Sequence, residues 1–411
     1  MNRVETYIAS HWDECVREIR KDQGETIGLP YPYAIPAVGH FEELFYWDTY
    51  FLNKGLELSG RRLLAKCNVD NMLYLVNKYG YMQNANKTYY LRNQVSQPPF
   101  LSEMVRDVYN YYQDTVWLFG AYHILEKEYQ FWMTERLSAN GLNFYSGKLA
   151  DLESTSQIAA SFRERVGNVD GLSEEDAALH SICCWESGWD MSPRWNFHGS
   201  DYNTVDQNSL MYLFEKNMEY FASELENGEE NVWCERAKTR KKLMERYLSV
   251  SDGTWMDYNY KTGKHSEIFS CASLYPLFAK LAEPEYAQRM AENLNRLECR
   301  YGLSACEKND APGVYQWNYP NGWACQQYLA VVGFQNYGMT EIALRLARKY
   351  TELVEKCFDE TENLWEKYNV VEGNVNICQE GTGKMPAMMG WSAGTYLAMK
   401  QLITEFEERT K

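Results

Sequence analysis

VETYIASHWDECVREI, Val4 to Ile19, sets Val4, Tyr7, Ile8, His11, Trp12, Cys15, Val16 and Ile19 at alternating steps of three and one. On a helix of about 3.6 residues per turn that spacing forms one apolar stripe. The pattern returns in Leu210, Leu213, Phe214, Asn217, Met218, Phe221 and Leu225, and again in Ile342, Leu346, Tyr350, Leu353 and Val354. About a dozen such stretches, punctuated by Gly, Pro or Asn, run along the chain, and alternating strand patterns are few. Helices with one apolar face must bury it against one another. The expected fold is therefore all-α, a single domain over residues 1–411 in which inner and outer helices alternate around a toroid. The longest irregular section, about residues 138–174, is rich in Gly, Ser, Asn and Asp and is expected to be an active-site loop region. Four further loops, Pro30–Trp47, Gln83–Pro99, Asp310–Trp323 and Glu366–Trp391, carry aromatics, amides or acids. In a toroid such loops gather at one end of the axis and line a common crater.

Composition narrows the function. The formal charge is −16 and Lys and Arg are not gathered into blocks, so nucleic acid and anionic membranes are poor partners. No run of eighteen apolar residues occurs, and the charged N-terminus has no apolar stretch followed by a small-residue cleavage site. Eleven scattered cysteines, without a C-x-x-C pair, fit reduced thiols, and a cytoplasmic location is expected. The six histidines show no metal-ligand spacing and no glycine-rich phosphate loop is present, so neither metal nor cofactor is expected. Aromatics make up 15% of the chain, with 32 Tyr and 13 Trp, more than a core needs. Surplus amphipathic rings line wet pockets and stack on the apolar faces of sugars.

WESGWDMSPRW, Trp185 to Trp195, sets three tryptophans around Asp190. Indoles remove water from a neighbouring carboxyl and disfavour its charge, which suits a general acid for glycoside hydrolysis. Such chemistry needs a second carboxyl, and Glu366 in LWEKYN also lies beside an indole and a phenol. Residue types alone also fit structural roles, Asp190 capping a turn and Glu366 sitting solvated near a helix end.

WESGWDMSPRW, YWDTYF (Tyr46–Phe51), YYLRNQVSQPP (Tyr89–Pro99), YQWNYPNGW (Tyr315–Trp323), EKYN (Glu366–Asn369) and MGWSAG (Met389–Gly394) resemble, in order, the signature segments of the trehalases of glycoside hydrolase family thirty-seven. The resemblance runs from about Pro30 to Thr395. It implies an (α/α)6 barrel and an inverting hydrolysis of a small α-glucoside, trehalose first among the candidates, with Asp190 as general acid and Glu366 as general base. Inversion leaves room for water between the two carboxyls, a gap of roughly 6.5 to 9.5 Å. Trp47 and Asp48 match the family's pair in the cleaved sugar's subsite, Gln97, Gln316 and Trp317 match its amides and indole, and Asn84 sits near the family's Asn in a similar loop. Phe41, in the family's Phe-x-Glu, and Trp189, Arg194 and Trp391, in the segments quoted above, are expected to touch substrate.

The departures point elsewhere. His40 and Val95 stand where the family writes Arg, and Ile158, Ala159, Ala160 and Ser161 replace its Arg-Pro-Glu-Ser. Asn318 stands where Asp is usual, and ICQEGTGKMP (Ile377–Pro386) replaces a glycine-rich segment, with Glu380 as a substitute acid. Arg grips hydroxyls with a planar fork that Val, Ile and Ala cannot replace, so the subsite for the second glucose is expected to be built differently. SPRW and GWSA resemble the related family sixty-three. An α-glucosidase acting on another α-glucoside or on a glycosylglycerate, and a non-catalytic sugar-binding homologue, are the alternatives.

Overall fold

The computed structural model describes residues 1–378 and 384–409. Its helices are α1 (Arg3–His11), α2 (Tyr46–Leu58), α3 (Arg62–Tyr79), α4 (Thr88–Arg92), α5 (Leu101–Tyr112), α6 (Thr115–Glu135), α7 (Leu152–Val166) and α8 (Glu174–Ser187). They continue with α9 (Val205–Glu224), α10 (Glu230–Leu248), α11 (Tyr275–Phe278), α12 (Pro284–Asn293), α13 (Ala324–Asn336), α14 (Thr340–Thr361) and α15 (Gly390–Arg409). Helices α2, α5, α9, α11, α13 and α15 each pack on the next, and α15 returns to α2, which closes an inner ring of six. Helices α3, α6, α10, α12 and α14 follow their inner partners on the outside. The sixth outer place is taken by α1, held by Asn2 Nδ2 donating to Glu355 and by the Tyr7 ring against Phe358. The architecture is the expected (α/α)6 barrel, and no helix of the described residues is long and apolar enough to cross a membrane.

The layers differ in composition because they differ in surroundings. Outer α14 buries Leu346, Tyr350, Leu353 and Val354 on one face and turns its charges outward. Inner α9 is buried on every side from Val205 to Met211. Its polar groups are satisfied inside, Asn208 Nδ2 donating to the carbonyls of Asn143 and Thr204. The ring closes where α2 meets α15 backbone to backbone: a Cβ on Gly394 would overlap the Phe51 carbonyl, and one on Gly55 would sit 2.9 Å from Gly394 Cα.

Two expectations are corrected. The stripe from Val4 to Ile19 is not one helix: α1 ends at His11, Trp12–Cys15 is a 3-10 turn, and Val16–Arg17 pairs with Tyr33–Ala34. A spacing of three serves a 3-10 turn as well as an α-helix, so Trp12 and Cys15 stay buried while the backbone changes type. Residues 138–174 are not irregular throughout, because α7 occupies Leu152–Val166. Asp151 caps it by accepting from the Ser154 N–H, and Ile158, Ala159, Phe162 and Val166 form the face it packs against α8. The Ser and Asp density that reads as loop is in part a helix start.

Candidate active site

A cavity of about 500 Å³ opens at one end of the inner ring. The loop before α2 brings Phe41, the first turn of α2 brings Trp47 and Asp48, and the Gln83–Pro99 loop brings Asn84 and Gln97. Asp190 enters just beyond α8, Gln316 and Trp317 come from the loop before α13, and Glu366 and Trp391 from the segment leading into α15. Ten of the twelve residues singled out from sequence thus share one hollow.

The floor is aromatic. Trp317 stacks on Trp323 at 3.7 Å between centroids, and Trp47 meets Trp391 edge-on at 5.8 Å. Helix α8 ends at Gly188 with φ +73°, and a Cβ there would stand 2.6 Å from the Trp47 indole, so the close approach of the acid-bearing turn to the floor requires glycine. The Trp47 main-chain N–H donates to Gln97 Oε1 at 3.1 Å, and Asn84 Nδ2 donates to the Trp185 carbonyl at 2.9 Å. These two amides therefore orient the walls. Asp48 is 6% exposed. Burial pushes its carboxyl up to about 8, and the charges of Glu366 and Asp190 add to the rise.

Asp190 is the more open acid, with 34% of its side chain exposed. Its main-chain carbonyl accepts from Gln316 Nε2 at 2.5 Å, and Arg165 Nη2 reaches both that carbonyl, at 3.2 Å, and Oδ2, at 3.3 Å. Glu186, four residues earlier, is an anchor: wholly buried, it pairs with Arg136 and accepts from the N–H groups of Ser96 and Ser146. Glu366 is 10% exposed and pairs with the buried Lys367 ammonium at 2.5 Å, which in turn lies 4.7 Å above the Trp323 ring. Its carbonyl accepts from Trp391 Nε1 at 2.9 Å. One carboxyl is thus set in a dry wall beside a cation, while the other stands at the opening.

Trp189 and Arg194 are corrected, since neither lines the cavity. Trp189 is fully buried and stacks behind Trp317 at 5.3 Å. Arg194 lies between Asp206, at 3.2 Å, and Asp257, at 2.8 Å, with its guanidinium over the rings of Trp189 and Trp195. A cation matched by two carboxylates and faced by two indoles ties the wall from behind. Of the departures, His40 lines the cavity, Val95 is buried away from it, and Asn318 bonds to Asn309. Glu380 lies outside the described residues. Sequence reading missed Arg165, Tyr90, Trp323, Lys384, and Lys87 with its partner Glu43 at 2.8 Å. The signal for Arg165 was the Asp151 cap, which would have made its segment a helix.

The sequence model described as Trehalase matches residues 1–404. The periplasmic trehalase of Pseudomonas aeruginosa is 31% identical over 97% of this chain and 76% of its own length, and that of Xanthomonas oryzae pv. oryzae is 28% identical over 97% and 74%. Among solved structures, neutral trehalase Nth1 from Saccharomyces cerevisiae superposes with a TM-score of 0.77 at 27% identity, covering 98% of this chain and 81% of that one. A GH63 mannosylglycerate hydrolase from Thermus thermophilus, in complex with glucose, shares the fold with a TM-score of 0.66 at 15% identity, over 96% and 99%. The expected cytoplasmic location does not stand, because these curated relatives are periplasmic trehalases. Buried cysteines that serve as small apolar side chains carry no information about compartment. With its six motifs, its barrel and its match along nearly the full length, the chain belongs to the trehalase family.

Proposed function

We propose that this protein hydrolyses α,α-trehalose to two glucose molecules with inversion, Asp190 acting as general acid and Glu366 as general base. The observation that carries the reading is that two carboxyls 176 positions apart in sequence line one cavity with the Trp47–Asp48 pair on its floor. Trp47 gives the cleaved glucose a stacking face, and Asp48 bonds two of its hydroxyls. Asp190, at the open side, delivers its proton to the glycosidic oxygen as the bond from that oxygen to the anomeric carbon breaks. Glu366 takes a proton from water as the water oxygen bonds to the same carbon from the opposite face. Arg165, resting on Asp190, is placed to transfer its donors to hydroxyls of the leaving glucose, which exchanges a contact with the acid for a contact with the substrate.

The test is stereochemical. In trehalose only one of the two anomeric carbons is attacked, so inversion releases equal amounts of β- and α-glucose before mutarotation, whereas retention releases α alone. Proton NMR of the first turnovers distinguishes the two. All-α product, or no glucose at all, overturns the reading.

A further inference from the structure

Beside the catalytic cavity lies a second hollow of about 190 Å³, lined by Tyr89, Tyr90, Gln157, Ile158, Ser161 and Trp185. Tyr90 and Trp185 also line the first cavity, so the two spaces lie side by side and share a wall of two rings. Gln157, Ile158 and Ser161, at i, i+1 and i+4, are one face of α7 turned toward the aromatic side. Ile158 and Ser161 are the ends of the segment that stands where the resemblance places Arg-Pro-Glu-Ser. In that correspondence the guanidinium gives way to the Ile158 side chain and the carboxylate to the methyl of Ala160, while Ser161 matches the segment's own Ser.

The lining has a definite chemistry. Three phenol or indole rings offer flat apolar faces with polar edges, and an amide and a hydroxyl stand opposite them. Among the described residues no charged side chain lines the hollow, so they offer nothing to compensate a carboxylate or phosphate and suit a neutral, many-hydroxyl ring. We propose that this hollow is an additional sugar subsite on the leaving-group side, holding a further neutral pyranose, and that the enzyme also hydrolyses α-glucosides longer than a disaccharide. The inference rests on the reading of the main cavity given above. The bond cleaved and the proton transfers stay the same, and the hollow contributes binding alone.

The test compares trehalose with two trisaccharides, trehalose extended by one α-linked glucose at the 4- or the 6-position. The wild-type enzyme is expected to cleave at least one of them with a kcat/KM equal to or above that for trehalose. Ser161→Trp, which fills the hollow, should lower that value about tenfold or more while trehalose changes by less than about threefold. Tyr89→Ala, which removes a stacking face without blocking the space, should show the same selectivity at about three- to tenfold. Retained trehalose turnover reports that each variant is folded. An enzyme active on trehalose that ignores both extended sugars, or variants that depress all substrates equally, would overturn the subsite and leave the main reading intact. A wild-type chain inert toward trehalose would strike the main reading instead.

Discussion

Asp190 and Arg194 stand four residues apart in one tryptophan-rich motif, yet they inhabit opposite sides of a wall. Asp190 faces the opening, with Arg165 on its carboxylate. Arg194 is sealed behind the indoles, its charge matched by Asp206 and Asp257, and Asp257 also accepts from Trp195 Nε1 and from the Val205 N–H at the start of α9. The front group is only partly compensated and partly open, as a group that must change partners in a reaction has to be. The back group is fully matched, and its surroundings hold it still. Membership in a motif therefore does not reveal which way a side chain faces: the same eleven residues supply both a reacting group and the brace that aims it.

Substitutions can break this contrast. Asp190→Asn and Glu366→Gln should each lower trehalose turnover by about a thousandfold or more, since each removes a proton-transfer group while keeping its shape, and urea melts should move little. If either variant kept near-full activity, the front would not be reactive. Arg194→Met should do the reverse. It leaves two carboxylates buried without their cation, at a cost of about 3–5 kcal/mol in unfolding free energy, measured by urea denaturation, with activity per folded molecule within about tenfold of wild type. A stability loss below about 1 kcal/mol would refute the brace. Arg165→Gln is expected to lower kcat/KM for trehalose about ten- to a hundredfold, and much less for α-glucosyl fluoride, whose departing fluoride needs neither a proton nor a grip. An equal loss on both substrates would make Arg165 a structural residue.

The smallest effect belongs to Asp48, and it concerns pH. Folding raises its carboxyl from 3.8 to about 8, so across that window the folded chain holds a proton that the unfolded chain has released. Its contribution to stability is complete below about pH 4 and is lost as pH rises through about 8. Asp48→Asn should remove this decline and gain about 1–2 kcal/mol at about pH 8, seen as a flatter stability profile in denaturant melts. A variant with the wild-type slope would show that the floor carboxyl is not under strain.

The outer layer was the more legible part of the fold. Helix α14 turns one apolar face inward, and its stripe of Ile342, Leu346, Tyr350, Leu353 and Val354 shows at the helical period. Inner helices such as α2 and α13 are buried on several sides, so periodicity fades in them, although inner α9 still shows its stripe from Leu210 to Leu225. In the site, the acids and the floor were legible because their motifs require unusual residue pairs. Arg165 was not, since its helix lies in a stretch whose Ser and Asp content resembles a loop. Trp189 and Arg194 were misplaced because facing depends on the turn at Gly188 and on the distant Asp257, neither of which is encoded by spacing within the motif.

The glycine seam between α2 and α15 also shapes the pocket. Trp47 and Asp48 head the first helix of the inner ring, whereas Glu366 and Trp391 arrive with the last, so the pocket is assembled from both ends of that ring. The residues up to Met389 hold five of the six inner helices but lack Trp391 and the helix that closes the ring. The close approach of α15 to α2 at Gly55 is thus what brings Trp391 edge-on to Trp47 on the floor of the pocket.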